Sequence, residues 1–230
     1  MSFSESDKTK ILRLKSSIAS YYNLQMKKIG DRHLESFFYT HCVISGGMIS
    51  ALFHDEAVHD IDLYCKDKLM MQSIKDYIVN SGKNIKSIES YELDSDGNKV
   101  SKGPAHPCVT ENAVTLTNDV QFIYIDTWPN AQSKFDFVHC MPYYDIGTQK
   151  LYISEAQFNA IKNKRLIPTG KVETKEKRID KYVKRGWNVQ GATPVEFTWN
   201  DSGQIGIIAQ EIGQMFPGTI DALNALSLYK

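Results

Sequence analysis

The sequence lacks a long apolar run, a secretory leader and an excess of charge of either sign. No apolar stretch of the 230-residue chain approaches the roughly 20 residues that span a bilayer, so we expect no contact with a membrane. The polar start MSFSESDKTK has no apolar core of the kind that a secretory signal needs. Its 27 basic and 27 acidic residues give a net charge of zero, unlike a protein that coats nucleic acid.

Cysteine is scarce and scattered. Cys42, Cys65, Cys108 and Cys140 contain no C-x-x-C pair, which argues against a zinc knuckle or a redox motif. A disulfide framework is not expected in a chain of this length, so reduced and mostly buried thiols are the simplest interpretation. Reduced thiols and the absence of a leader predict a cytoplasmic protein.

What is present is an ordinary globular composition, with helical and strand patterns in alternation. Helical spacing of apolar residues predicts helices over 7–29, 31–38, 48–54, 69–82, 154–164 and 176–187, and one or two amphipathic helices from Gln204 onward. Alternating or β-branched runs predict strands at 42–45, 61–66 and 135–140, and a hairpin over 113–125. The Gly-, Pro- and Ser-rich run from Ser95 to Pro107 predicts a loop.

The segment SGGMISALFHDEAVHDIDLY carries the strongest chemical signal. Ser45, Gly46 and Gly47 end a strand and open a helix, where backbone N–H groups approach a phosphate with no Cβ in the way. Asp60 and Asp62 follow one residue apart on a strand, so both carboxylates share a face and are placed to bind one or two Mg²⁺ ions. Two metals held this way activate an attacking hydroxyl and hold a triphosphate for in-line displacement.

These motifs, in this order, resemble the nucleotidyltransferase superfamily related to DNA polymerase β. The resemblance is greatest to the head domain of CCA-adding tRNA nucleotidyltransferases and bacterial poly(A) polymerases, and it extends to nucleotidyltransferase-like proteins encoded by bacteriophages. It runs from about Val43 to Trp187, with a divergent stretch from Met70 to Glu111. It implies an α/β nucleotidyltransferase fold, a mixed sheet flanked by helices, with a core over 1–160 and a basic helix and helical C-terminal cap over 161–230.

Several positions depart from the family's pattern. Ser50 stands where the family has an arginine, Lys134-Phe135 where it has R-R, and Gln121 where it often has a third acid. An amide coordinates a metal weakly and does not neutralise it. Asp126 and Asp136 are candidate substitutes, and we favour Asp136, because a carboxylate on an apolar strand needs a metal or a basic partner.

A basic helix supplies a candidate phosphate site. Arg178, Lys181 and Arg185 fall on one helical face of RIDKYVKRGW, which resembles the family's arginine-rich helix and is placed to hold the β- and γ-phosphates of a nucleotide. A solvated surface helix with internal ion pairs is the alternative. Tyr143, Tyr144 and Trp187 are candidates to stack a base, with core packing as the more common role of such residues.

The resulting hypothesis is Mg²⁺-dependent transfer of a nucleoside monophosphate from ATP or another nucleoside triphosphate to a hydroxyl of an RNA end, a protein or a small molecule. Asp60, Asp62 and Asp136 are the catalytic candidates, with Asp60 and Asp62 as metal ligands. One alternative is a degenerate member of the fold that binds a nucleotide or a partner without turnover. Another is a phage structural or assembly protein that forms oligomers through its C-terminal tail. The phage resemblance predicts a bacterial or phage-infected host cell.

Overall fold

The computed structural model describes residues 3–89, 91–93, 99–101, 105–169 and 176–189. The helices predicted from Gln204 onward, and with them the helical C-terminal cap, lie outside these residues.

The chain forms two compact units. Of the described residues, those within Ser4–Ala131 and Tyr143–Tyr152 form the sheet unit, and Phe3, those within Gln132–Pro142 and those from Ile153 onward form the basic-helix unit. The domain boundary at residue 160 stays a prediction.

Six α-helices occur in the described residues, and each coincides with a helix that the sequence predicts. They are α1 (Glu5–Ile29), α2 (Arg32–His41), α3 (Gly47–Phe53), α4 (Lys68–Ser81), α5 (Glu155–Lys162) and α6 (Glu176–Val183). None of those within the described residues is long and apolar enough to cross a membrane.

Side chains at the helix ends explain where these helices begin and stop. The Ser4 hydroxyl accepts from the Asp7 N–H at the start of α1, and Gly30 ends it at a φ of 69°. Gly82 ends α4 in the same left-handed conformation, at a φ of 61°. Ser154 and Gln157 form a capping box at α5, as the sequence predicts.

A six-stranded mixed sheet forms the centre of the sheet unit. Its strands are β1 (Cys42–Ser45), β2 (Ile61–Cys65), β7 (Ala113–Thr115), β8 (Val120–Ile123), β9 (Tyr143–Asp145) and β10 (Lys150–Tyr152). They lie in the order β10-β9-β1-β2-β8-β7, in which the pair β2–β8 is parallel and the other pairs are antiparallel. The mixed α/β class predicted from the sequence is therefore confirmed.

One face of the sheet is apolar and packs against helices. Directly opposed residues of neighbouring strands point to the same side, and five buried ones form a row across the sheet. These are Tyr144, Ile44, Leu63, Phe122 and Val114. Phe38 of α2 stacks on Phe122 with ring centroids 5.8 Å apart, which anchors the helix on this face.

The hairpin predicted over 113–125 is confirmed as β7 and β8. The connection runs over Leu116–Asp119, and Thr117–Asp119 form a 3-10 turn in which Asn118 and Asp119 have left-handed φ values of 63° and 58°, so the two-residue turn expected from the sequence is not what forms.

The loop predicted from Ser95 to Pro107 contains short strands. β4 (Tyr91–Leu93) pairs with β5 (Lys99–Ser101), and β3 (Ser87–Ile88) pairs with β6 (His106–Pro107). Cross-strand backbone hydrogen bonds form here despite the turn-rich composition, because they need no particular side chain.

The strand predicted over 135–140 is wrong. Phe137 makes one bridge to Pro168, and Val138–Cys140 form a 3-10 turn. Phe137 and Cys140 both enter the core of the basic-helix unit, and a helical turn places residues three apart on one side whereas a strand does not. That core also contains Leu166, Ile179, Tyr182, Trp187 and Val189. Two short parallel strands lie in the same unit, β11 (Arg165–Leu166) and β12 (Asn188–Val189).

Ile74 and Leu69 offer a matched test of how α4 packs in the sheet unit. Ile74 is fully buried, so Ile74→Ala leaves a cavity and should lower the free energy of unfolding by about 2–5 kcal/mol. Leu69 is 74% exposed, and Leu69→Ala should change it by less than about 0.5 kcal/mol. Urea unfolding of both variants checks this, and similar losses would contradict the assignment of the buried face.

Candidate active site

The face of the sheet opposite the apolar row carries polar side chains along a single line. Ser45 of β1 lies opposite Asp62 of β2, and Asp62 lies beside Gln121 of β8. The line continues to Thr115 on β7 and, in the other direction, to Tyr143 on β9. The strand order therefore brings Ser45, Asp62 and Gln121 together, although they lie far apart in the chain.

The glycine that follows Ser45 lies directly against the Asp62 carboxylate. Gly46 has a φ of 90° and a ψ of −153°, a conformation open essentially to glycine alone. A Cβ at Gly46 would stand 2.8 Å from Oδ2 of Asp62, closer than real Cβ contacts allow. Asp62 can therefore keep this position only if residue 46 is a glycine. Gly47 then begins α3, as the sequence predicts.

Asp60 lies just before β2, and Asp62 lies within it. Both side chains are half-buried, at the accessible end of a strand whose Ile61, Leu63 and Tyr64 are buried. A spacing of two residues places side chains on one side only within a strand, and Asp60 lies outside β2, so the shared face of the two carboxylates stays a prediction.

The donor set can be compared with the needs of a metal ion. Among the described residues, no group of three or more His, Cys, Asp and Glu side chains is arranged to hold a metal. Mg²⁺ is commonly held by one or two protein carboxylates, with substrate phosphates and water completing its shell. The chemistry of Asp60 and Asp62 fits one Mg²⁺ of this kind, with Asp62 beside the turn at Gly46, and the two-metal site stays a prediction.

Two of the positions that depart from the nucleotidyltransferase pattern lie in the sheet unit. Gln121 occupies the position beside Asp62, where it presents a neutral amide in place of a third acid. Ser50 is buried, and its hydroxyl donates to the Gly47 carbonyl at 2.9 Å. The hydrogen bond of the Ser50 hydroxyl is therefore made within α3.

Asp136 lies in the basic-helix unit, where it has the basic partner that its burial requires. Its carboxylate accepts from Nε of Arg178 and from the second guanidinium nitrogen, Nη2, at 3.1 Å. The Asp136 carbonyl also accepts from the Thr169 N–H at 2.9 Å. A bidentate pair of this kind holds both side chains in one geometry. The catalytic role of Asp136 stays a prediction.

The other residues of the predicted basic face lie on or just after α6. Lys181 is exposed and Arg185 is half-buried, while Ile179 and Tyr182 pack into the core. The amphipathic character predicted for this helix is confirmed, and phosphate binding by Arg178, Lys181 and Arg185 stays a prediction.

Of the aromatic candidates, Tyr144 and Trp187 are buried in the cores of their respective units. Core packing, the alternative role, is therefore what the structure shows for these two. Tyr143 lies on the polar face of the sheet, half-buried.

His139 has an unusual environment that sequence reasoning missed, because the surrounding rings come from distant segments. It is fully buried, with ring centroids 4.1 Å from Trp187 and 4.5 Å from Tyr182. Burial, helped by the nearby charge of Arg178, lowers the pKa of His139 to about 3. His139 is therefore neutral in the folded protein at ordinary pH.

Replacement of Gly46 tests the contact with Asp62. Gly46→Ala should abolish binding of Mg²⁺-ATP, because the new Cβ displaces the carboxylate, and the backbone strain should lower the free energy of unfolding by about 1–3 kcal/mol. Gly82→Ala is the matched control, since Gly82 also has a positive φ but a Cβ there meets nothing within 4 Å. Calorimetric titration of both variants checks this, and unchanged affinity in Gly46→Ala would exclude the turn from the site.

The buried His139 predicts a specific pH dependence. A histidine in the unfolded chain has a pKa of about 6.5. Because the pKa of His139 is lower in the folded state, the unfolded state binds one more proton at pH values between the two pKa values. The free energy of unfolding should therefore decrease by up to about 1.4 kcal/mol for each unit by which the pH is lowered below 6.5. His139→Phe should remove this contribution, whereas His106→Phe at an exposed site should retain it. Urea unfolding between pH 7 and pH 4 compares the slopes, and equal slopes would refute the assignment.

Comparison with solved structures finds similarity to CCA-adding enzymes and to a tRNA-processing enzyme. One is a Thermotoga maritima CCA-adding enzyme complexed with tRNA (10% identity, TM-score 0.42, covering 76% of this chain and 38% of that one). A second is a CCA-adding enzyme in an apo form (11%, 0.45, 80% and 42%), and a third is a tRNA-processing enzyme with CTP (12%, 0.38, 82% and 52%). The chain thus spans about half the length of these proteins or less. TM-scores below 0.5 carry no conclusion about activity.

No curated protein matches the chain at a significant level. A family model described as "Gad2: Gabija anti-defense 2 family protein" matches residues 15–164. This match covers α2, α3 and α4, the whole six-stranded sheet and the turn at Gly46. The chain belongs to the Gad2 family.

Proposed function

We propose that this protein is a Mg²⁺-dependent nucleotidyltransferase that transfers a nucleoside monophosphate from a nucleoside triphosphate to an acceptor hydroxyl. The observation that supports this most directly is the close approach of the Asp62 carboxylate to Gly46 at the turn into α3. Because Gly46 has no Cβ, a phosphate can approach the backbone N–H groups of the turn, and the adjacent Asp62 carboxylate supplies a ligand for a cation bound to that phosphate.

Each residue of the sheet unit has a defined role in this proposal. Backbone N–H groups at Gly46 and Gly47 donate to the triphosphate, with the Ser45 hydroxyl beside them. Asp60 and Asp62 would hold Mg²⁺, which when bound would supply Lewis-acid stabilisation of negative charge on the phosphates. The acceptor oxygen bonds to the α-phosphorus as the bond to pyrophosphate breaks, and the hydroxyl proton is lost to a carboxylate of the pair.

A second candidate function is binding of Mg²⁺-nucleotide or of a partner without turnover. Gln121 supports it, because an amide beside Asp62 leaves the site with two negative charges where the nucleotidyltransferase pattern often has three.

The name of the Gad2 family associates its members with action against Gabija defence, and either catalysis or binding is compatible with that action. Components of that defence are therefore acceptors and partners to test.

Transfer of label from α-³²P-labelled nucleoside triphosphates onto RNA and protein tests the catalytic proposal. Asp62→Asn and Asp60→Asn should each lower the rate at least about 100-fold, because a lost metal carboxylate removes several kcal/mol of transition-state stabilisation. Asp55→Asn is the matched control. Asp55 is exposed and lies, like Asp60, in the loop between α3 and β2, and its φ of 55° is one that asparagine adopts readily.

The outcomes separate the two candidates. Loss of transfer in both site variants, with normal transfer in Asp55→Asn, supports catalysis. Binding of Mg²⁺-nucleotide by the wild type without transfer, abolished by Asp62→Asn, supports the second candidate. In that case Gln121→Glu, which restores a third carboxylate, should produce transfer. Transfer that survives both aspartate substitutions would overturn the proposal.

A further inference from the structure

Two tyrosine rings extend the polar line of the sheet beyond Ser45, and a tryptophan packs against one of them. Tyr143 of β9 lies opposite Ser45, and Tyr152 of β10 lies opposite Tyr143. The rings of Tyr143 and Tyr152 stack at 4.6 Å with an angle of 10° between their planes. Trp128 packs against Tyr143 at 4.9 Å. The orientation of Tyr152 is thus set by its neighbour before any ligand arrives.

Tyr152 is fixed in orientation and yet exposed. It retains 42% exposure although it stacks on Tyr143, and it lies on β10, the edge strand of the sheet. A rigid, exposed aromatic ring is a suitable platform for a nucleobase, because every base has an aromatic face and little conformational entropy is lost on stacking.

A positive charge accompanies this ring. Lys150 is exposed and lies two residues before Tyr152 on β10, hence on the same face of the sheet. Its cross-strand neighbour Asp145 is engaged elsewhere, by Lys66 at 3.1 Å and by the Thr148 N–H at 3.0 Å. Burial acts to raise the pKa of Asp145, but these hydrogen bonds and the charge of Lys66 outweigh it and lower that pKa.

The distance from Asp62 limits what this edge can bind. Tyr152 and Asp62 are three strands apart in the same line, which corresponds to about 14 Å at ~4.8 Å per strand. At the ~3.4 Å rise of stacked nucleotides, the same distance corresponds to roughly four nucleotides. A base at Tyr152 therefore belongs to a different nucleotide from one whose α-phosphate lies at Asp62.

We propose that Lys150 and Tyr152 form a second nucleotide subsite at the edge of the sheet, in which a base stacks on Tyr152 and its phosphate binds Lys150. The class of ligand rests on the proposed function, since a nucleotidyltransferase presents nucleotides to this face. The ligand is either one nucleotide of a strand that extends along the line from Asp62, which the distance favours, or a separate mononucleotide.

Fluorescence anisotropy of a labelled oligoadenylate, with unlabelled AMP and Mg²⁺-ATP as separate ligands, tests the subsite in the full chain. Tyr152→Leu should weaken oligoadenylate binding about 5- to 100-fold, because base–aromatic stacking is lost, and Tyr152→Phe should retain it. Lys150→Gln should reduce the slope of log affinity against log salt concentration by about the amount that one phosphate contact contributes. Tyr39→Leu is the control, since Tyr39 on α2 is similarly exposed, at 48%. Mg²⁺-ATP affinity should be unchanged in all of these variants.

Each result has a defined meaning. Weakened oligoadenylate binding in Tyr152→Leu with unchanged AMP binding assigns the subsite to a strand, and weakened AMP binding assigns it to a mononucleotide. Equal losses in Tyr152→Leu and Tyr39→Leu, or no loss in Tyr152→Leu, would overturn it. Oligoadenylate binding that depends on Tyr152 in a protein without label transfer leaves the subsite standing and counts against catalysis alone.

Discussion

The close contact between Asp62 and Gly46 is the constraint on which the candidate site depends. The antiparallel pairing of β1 and β2 places Ser45 opposite Asp62, so the next residue along the chain must pass beside the carboxylate. With a Cβ only 2.8 Å from Oδ2, any residue other than glycine would push Asp62 away or change the turn. The same turn begins α3, whose buried Met48 and Ile49 hold it in place. One pairing register and one missing side chain thus fix the metal candidate, the phosphate candidate and the start of a helix together.

The sheet divides stability and chemistry between its two faces. On one face, buried apolar residues such as Ile44, Leu63 and Phe122 supply the packing that holds α2 in place. On the other, the same three strands present Ser45, Asp62 and Gln121. Because successive side chains of a strand alternate, a shift of one residue in register would bury the carboxylate and expose the core. The apolar row therefore also specifies the alignment of the polar one, and the geometry of the site follows from the requirement to bury the core.

How much of this could be predicted from the sequence depends on the distance between the interacting residues in the chain. The strand, glycine turn, helix and D-x-D strand lie within about twenty residues, and local pattern was enough to predict them. The line from Asp62 to Tyr152 depends on the order β10-β9-β1-β2, which no local pattern contains, although alternation in YYD and KLY around Gly147 was an available signal for that hairpin. The error over Phe135–Cys140 has the same origin. Its apolar side chains are buried by α6, some forty residues later in sequence, and that packing is satisfied by a turn.

The charges around Asp62 limit what the site can bind. Two carboxylates balance one divalent cation, and the neutral amide of Gln121 adds no charge for a second. Attraction between protein and a second Mg²⁺ is therefore weaker than for the first, unless the substrate supplies negative charge of its own. A nucleoside triphosphate does so, because its phosphates carry the charge that the third position lacks. In the proposed function, the neutral amide of Gln121 would leave part of the metal binding to the nucleotide. Metal affinity measured without nucleotide would then underestimate the affinity of the site for a cation that binds together with the triphosphate.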